Sequence, residues 1–513
     1  MNRRPVLRIA LASALAGLVV STVPAGAAPT PVTTVGSPSV PGTSKGFQQV
    51  GHTDLGNRGM NSPVAVAGRC AYVGDRATVN RPGGGIAIVD VKNPAKPTRV
   101  GTIPPKASVT QRELRADAAL GVLYVLAFSN AIGNGANGGF NQLQVFDIKA
   151  DCRAPKLLAA YDFGVRTPHE FFIWKDPKTP GRVLAYVTTT LFAPDVTVLD
   201  LSDPTAPELL TTYDTVIDQL DNAAAVAESG SGYAHSIYVN DDGTRAYLGT
   251  WDYGTYVADT SRVADPAGVP VILPLGPNKL DYGANVHGTV PLPGRPFAVM
   301  VQEDYANAGT GCPFGHLRMG DFSDPAAPVL AGEYKLPEND CDRSRRANAT
   351  FTAHNQTTFP NLALLTWYAG GLRAVDVTDP YKPVEAGAFV PKATKDAPSM
   401  RDTRLFFTGM PAESRRTGAM WSYPVVQDGL IYVVDIDLGL YVLRYTGKHA
   451  SQVAKAALVE GNSSPARYTK SSPLPTRTAA VQAKVDRLRA PRVVRDTVPT
   501  VNPTNGKVWD TVC

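Results

Sequence analysis

Along most of the chain, apolar and polar residues alternate with a period of two in short stretches broken by Gly, Asn-Pro and Asp-Pro. This is the pattern of strands joined by tight turns. One phrase recurs, an alternating stretch that ends in Asp and then turns at a Pro-rich segment. The copies read GGGIAIVDVKNPAKP from Gly83, NQLQVFDIKADCRAP from Asn141, DVTVLDLSDPTAP from Asp195, GTYVADTSRVADPAGVP from Gly254, GHLRMGDFSDPAAP from Gly315 and GGLRAVDVTDPYKP from Gly370. The aligned aspartates, Asp90, Asp147, Asp200, Asp259, Asp321 and Asp376, stand 57, 53, 59, 62 and 55 residues apart. A degenerate seventh copy, GLYVLRYTG from Gly439, carries Arg444 in the Asp place. Upstream of each copy lies a second strand rich in β-branched and aromatic residues: CAYVGD, VLYVLAF, LAYVTTT, RAYLGTW, FAVMVQED, LALLTWY and LIYVVDI. Helical periodicity is nearly absent before Gly447. A period of about 50 to 60 residues holding several short strands predicts an all-β chain folded as a β-propeller of about seven blades.

These units resemble the LVIVD repeat of exported bacterial β-propellers, whose hallmark is GLxxVDVxxPxxP. The resemblance covers about residues 60–446, with departures in the Asp147 and Asp259 copies and in the seventh. It implies a fold and an extracytoplasmic address but no single activity, since one fold hosts many functions. The hallmark aspartates are expected to be structural, accepting backbone N–H groups in the turn before the Pro segment. The segment before Met60 is expected to pair with the last blade and close the ring.

The N-terminus bears on the compartment. Arg3, Arg4 and Arg8 precede an apolar run from Ile9 to Val20, followed by the small residues Ala25-Gly26-Ala27-Ala28. Residues 1–28 therefore read as a signal peptide, and the product as secreted or cell-envelope associated. Arg3-Arg4 with Val6, Leu7 and Arg8 also resembles a twin-arginine export signal. The apolar run falls short of the roughly 20 residues that span a bilayer, so no transmembrane segment is expected. Residues 29–48 read as an unstructured lead-in, 49–446 as the propeller, and 447–513 as a basic, Pro/Ser-containing extension. That extension carries eleven Lys or Arg against four Asp or Glu. It either adheres to acidic cell-wall polymers or lipid headgroups or packs loosely on the propeller; without an aromatic ladder it makes no case for nucleic acid. No Cys-x-x-Cys pair occurs among Cys70, Cys152, Cys312, Cys341 and Cys513. In an exported chain, disulfides pairing Cys70 with Cys152 and Cys312 with Cys341 are expected, although sequence alone does not fix connectivity.

Four of the seven histidines, His169, His235, His287 and His354, fall just ahead of the strand that opens a blade, in the contexts TPHEFFIW, YAHSIYVN, NVHGTVPL and TAHNQTTF. The first strand of each blade lines the central channel, so these imidazoles should converge at its mouth. Two readings follow. Either the rings plug the channel through hydrogen bonds, or they hold one transition-metal ion such as iron, copper or zinc. The second is favoured by the blades that lack the His, which carry Ser62, Arg112 or Glu113, and Trp421 or Ser422 at that place. Glu113 and Glu170 are candidate groups to fix imidazole tautomers. Histidine-bound metal on a propeller axis is similar in architecture to the carotenoid-cleaving oxygenases and the selenium-binding protein family, though none of their other local motifs is found here. Trp251, Trp367 and Trp421 are candidate ligand walls. Gln302-Glu303-Asp304 reads as a solvated acidic turn or a site for a hard cation. No Gly-x-Ser-x-Gly elbow occurs, and Gly83-Gly84-Gly85 lacks the Lys-Ser/Thr of a phosphate loop. The leading function is a binding module taking a small molecule or protein at the channel mouth. A metal-dependent oxidase or oxygenase and a cell-envelope scaffold are the alternatives.

Overall fold

The computed structural model describes residues 42–460, apart from 78–82, 107–108, 130–139, 191–193, 216–232, 252, 276–279, 281–284, 305–312, 341–349 and 393–418. The expected signal peptide, most of the lead-in, the basic tail beyond residue 460 and the expected Cys312–Cys341 pair lie outside the described residues.

Seven antiparallel sheets follow one another around a ring, one for each repeat. Blade 1 runs Asn61–Ala67, Cys70–Asp75, Ile86–Asp90 and Thr98–Ile103; blade 2, Val109–Asp117, Val122–Ser129, Asn141–Asp147 and Lys156–Asp162. Blade 3 holds Thr167–Lys175, Val183–Thr190, Val196–Asp200 and Glu208–Tyr213, and blade 4 Ala234–Val239, Arg245–Thr250, Gly254–Asp259 and Leu273–Pro274. Blade 5 comprises Val286–Pro291, Phe297–Gln302, Leu317–Asp321 and Val329–Tyr334, and blade 6 Gln356–Thr358, Leu362–Thr366, Leu372–Asp376 and Val384–Val390. Blade 7 takes its three inner strands, Val425–Gln427, Leu430–Asp435 and Gly439–Tyr445, from the end of the chain. Its fourth strand is Phe47–Thr53, paired antiparallel with Gly439–Tyr445, so the segment before Met60 closes the ring as expected.

The sheet-forming chain is longer than the 49–446 read from the pattern. Thr43–Lys45 adds a fifth strand to the outer edge of blade 6, and Leu458–Val459 pairs with the innermost strand of blade 7 after a short helix, Ala450–Ala454. These pieces are too short to show a period, and their place depends on neighbours distant in sequence.

Inner strands are buried on both faces while outer ones such as Thr98–Ile103 face solvent, because each sheet stands radially and is covered by its two neighbours. Apolar clusters fill every interface between blades. Tyr72 and Ile88 meet Leu123 and Val125 between blades 1 and 2, and Val64 and Val73 meet Tyr432 and Val442 between blades 1 and 7. Cys70 and Cys152 form a disulfide between blades 1 and 2, with Cα atoms 6.0 Å apart. Among the described residues no helix is long and apolar enough to cross a membrane.

The hallmark itself has a local cause. Its glycine opens the third strand with positive φ, 72° at Gly85 and 75° at Gly371, where a Cβ would stand 2.3 Å from the Ile103 carbonyl oxygen and 2.2 Å from that of Phe389. Only glycine fits there. Its aspartate closes the strand by accepting the backbone N–H two residues on: Lys92 to Asp90, Lys149 to Asp147, Ser202 to Asp200, Ser261 to Asp259, Ser323 to Asp321 and Thr378 to Asp376, at 2.8–3.0 Å. All six are turn-forming residues.

Candidate functional site: a buried histidine cluster on the propeller axis

The opening strands of blades 1 to 5 share one irregularity. Each has a β-bulge near its start, between Asn61 and Val64, Gln111 and Glu113, Pro168 and Phe171, Ala234 and Ser236, and Val286 and Gly288. A bulge adds an unpaired residue and re-aims its side chain. The bulged residues include Ser62, Arg112, His169 with Glu170, His235 and His287. In blade 6, His354 holds the same place by donating its N–H to the Thr366 carbonyl; in blade 7, Trp421 does so by donating to that of Val434.

The four imidazoles consequently meet. Successive ring centroids, His169 to His235, His235 to His287 and His287 to His354, are each 4.2 Å apart, and all four side chains are buried. His169 Nε2 lies 2.8 Å from His235 Nε2 and 2.8 Å from the Arg112 guanidinium. Arg112 can only donate and so takes the His169 Nε2 lone pair, which leaves the contact with His235 Nε2 poorly served by hydrogen bonds alone. His354 Nδ1 donates to the Trp421 carbonyl at 2.7 Å, which turns its Nε2 lone pair inward. Two carboxylates complete the cluster. Glu170 Oε1 stands 3.2 Å from His287 Nε2, and Glu303 Oε1 3.3 Å from His354 Nε2. Each is braced by a phenol: Tyr423 donates to Glu170 at 2.8 Å and Tyr368 to Glu303 at 2.6 Å. Tyr368 is held at φ 39°, a strained conformation for an aromatic residue.

Burial pushes all four imidazoles well below their usual range, with Arg112 or neighbouring imidazoles adding to the effect. They are therefore neutral near pH 7, the form that ligates metals. Burial and the nearby Glu113 push the Glu170 carboxyl up, against the pull of Arg112. Within two sets, Glu170–His235–His287 and His287–Glu303–His354, the donor atoms lie within 4.8 Å of one another. Both Nε2 and Nδ1 of His287 are buried without a hydrogen bond, as is Nε2 of His354. Neutral imidazole with carboxylate and no thiolate suits iron, copper or zinc, so the residues present fit such an ion.

The remaining expected residues divide. Trp251 stacks on His235, with centroids 5.2 Å apart and planes at 26°, and Trp421 meets His354 edge-on at 5.2 Å. Trp367 does not belong to the site. It sits in the core between blades 5 and 6, with its indole N–H bonded to the Phe351 carbonyl, and the adjacent Tyr368 faces the cluster instead. Glu113 is buried but hydrogen-bonds Arg115 at 2.9 Å rather than an imidazole. Glu303, read as part of a solvated turn or of a hard-cation site, is 1% exposed and is the carboxylate nearest His354. The signal available was its place immediately after the second strand of a histidine-bearing blade.

Fold and site together describe a seven-bladed β-propeller with a histidine–carboxylate cluster on its axis. Residues 58–103 and 185–215 match the LVIVD repeat. No curated protein matches the chain. Similar solved structures include the β-propeller domain of Cps50 (Swd1) from Myceliophteria thermophila, at 10% identity and TM-score 0.45 over 75% of this chain and 97% of that one. Sqt1 from Chaetomium thermophilum is 13% identical with TM-score 0.44, over 77% and 98%. Raptor from the same organism is 11% identical with TM-score 0.43, over 78% and 30%.

Proposed function

We propose that this protein is an exported propeller binding module whose axial cluster holds one transition-metal ion and presents it to a ligand at the channel mouth. The observation that carries the reading is the convergence of four neutral, buried imidazoles, several of whose nitrogens have no hydrogen-bond partner. Unsatisfied buried polar atoms are costly, at roughly 1–3 kcal/mol each, and a cluster of them on one axis is explained by a shared electrophile. His235, His287 and His354, with His169, are the nitrogen donors. Glu170 and Glu303, fixed by Tyr423 and Tyr368, stand beside them as carboxylate ligands or orienting groups. Export is supported by the Arg3-Arg4-Arg8 leader with its apolar run and by the Cys70–Cys152 disulfide. Attachment to acidic cell-wall polymers would use the basic residues beyond 460.

A catalytic reading, a metal-dependent oxidase or oxygenase at the same site, is favoured by the all-histidine nitrogen set, which accommodates redox-active iron and copper as well as zinc. The two readings part on one experiment. The mature chain, loaded in turn with iron, copper and zinc, is checked for metal content and for oxygen uptake with phenolic and polyunsaturated substrates. Retained metal with no turnover supports the binding module; turnover that tracks iron or copper content supports the enzyme; no retained metal removes both.

A further inference from the structure

The inner edge of every blade faces the axis, so Leu458–Val459, paired with the innermost strand of blade 7 on the side away from its other strands, lies in the central channel itself. The next residue, Glu460, is 4% exposed, and its Oε1 accepts the backbone N–H of Ala116, in the opening strand of blade 2, at 3.4 Å. Blade 1 stands between blades 7 and 2, so the segment crosses the channel to reach it. Ala116 follows Arg112 by four residues, on the order of 13 Å along the strand. The crossing therefore lies on the side of the histidine cluster away from the mouth. Buried contacts join the two. Arg115, next to Ala116, is buried; its guanidinium bonds Glu113 at 2.9 Å and lies 5.0 Å over the Tyr423 ring. Burial works against the Arg115 charge, but Glu113, Glu460 and the Tyr423 phenol outweigh it and hold the guanidinium protonated. Burial, with Glu170 and Glu113 close by, pushes the Tyr423 phenol well above its usual range, so it keeps its proton. It donates that proton to Glu170 Oε2 at 2.8 Å, while Glu170 Oε1 stands 3.2 Å from His287 Nε2.

We infer that Glu460 is a positioning residue of the metal site: from across the channel it holds Arg115 against the face of Tyr423, and Tyr423 fixes the Glu170 carboxylate beside His287. The inference rests on the metal reading above. A guanidinium placed between two carboxylates answers to both; with the Glu460 charge removed it settles on Glu113, and its attraction to the Tyr423 ring weakens. Groups that orient metal ligands from outside set metal affinity by about 10- to 100-fold. A Glu460 that served only the Ala116 amide would affect stability alone.

The full mature chain is titrated with cobalt(II), whose visible bands respond to the geometry of its ligands. Cobalt affinity, the spectrum of the bound ion and the metal-free Tm are measured for wild type, Glu460→Gln, Tyr423→Phe and the two changes together. Glu460→Gln keeps an acceptor for the Ala116 amide and removes the charge. Tyr423→Phe should weaken cobalt binding by about tenfold or more. Glu460→Gln should weaken it by about three- to tenfold with a shifted spectrum, and the double variant should bind no more weakly than Tyr423→Phe alone, because both changes act through one contact. A lowered metal-free Tm with wild-type affinity and spectrum in Glu460→Gln overturns the inference, as do fully additive losses in the double variant. A wild type that does not retain cobalt overturns the metal reading and this inference with it. If Glu460→Gln does not fold, Glu460→Asp, which keeps the charge at a shorter reach, takes its place: a spectral shift that disappears in the Tyr423→Phe background supports the positioning role, and an unshifted spectrum overturns it.

Discussion

Blades 1 to 6 each have two marked ends, and they obey different physics. At one end the hallmark aspartate closes the third strand, and its partner is the backbone two residues away, as in Asp200 with Ser202. At the other end the opening strand turns a side chain toward the axis, through a bulge in blades 1 to 5, and the partners of that side chain come from other blades. His169 meets Arg112 and His235, 57 and 66 residues away, and Tyr423 reaches Glu170 across 253 residues. Apart from Asp376, which also binds Lys448 and His449, the aspartates serve chiefly one turn each, and their effects should be separate and modest. The histidines form one unit, and a change in any of them should be felt by all. Repetition made both series, but only the second converges.

The largest expected departure between the two ends is in metal-linked stability. At a free metal concentration of about 100 times Kd, the wild type should gain roughly 2.7 kcal/mol, read as a rise in Tm. His287→Ala should lose that gain and Asp200→Ala should keep it; a full gain in His287→Ala would break the comparison. Next comes Asp376→Ala, at about 2 kcal/mol by denaturant titration. Asp376 is the hallmark aspartate with long-range partners, binding Lys448 and His449 as well as Thr378. Burial raises its pKa, but those three partners outweigh it and hold the carboxyl at about 2. Its contribution is accordingly complete above its unfolded value and fades as the pH falls toward 2, so wild type and Asp376→Ala should converge in acid. A gap that persists at pH 2 would contradict this assignment. Tyr368→Phe should cost about 1.5 kcal/mol through the lost bond to Glu303 and should weaken metal retention. The smallest effect is that of Asp200→Ala, at about 1 kcal/mol, with metal binding untouched.

The sequence was informative wherever a feature was both repeated and local. The Gly and Asp of the hallmark revealed the third strand of each blade, and the count of seven copies, together with closure by the segment before Met60, matches the ring. His169, His235, His287 and His354 stood out because each falls at the same point of its repeat, where a blade opens. What the pattern hid depends on closure of the ring. Glu303 follows an ordinary strand end and becomes buried only because blade 6 brings His354 and Tyr368 against it. Trp367 and Tyr368 are neighbours in sequence, and the positive φ of Tyr368 sends one into the core and the other to the axis. Arg112 marked a blade without His, yet its contact with His169 crosses from blade 2 to blade 3 and has no sequence signature.

The central claim is that the axial histidines are ligands rather than a structural plug. Elemental analysis of the purified mature protein, alongside His235→Ala/His354→Ala, tests it most directly. The account predicts about one equivalent of iron, copper or zinc per chain, lost in the double variant while the propeller remains folded. A wild-type chain that stays metal-free after incubation with all three ions, or a double variant that retains the full equivalent, would contradict it.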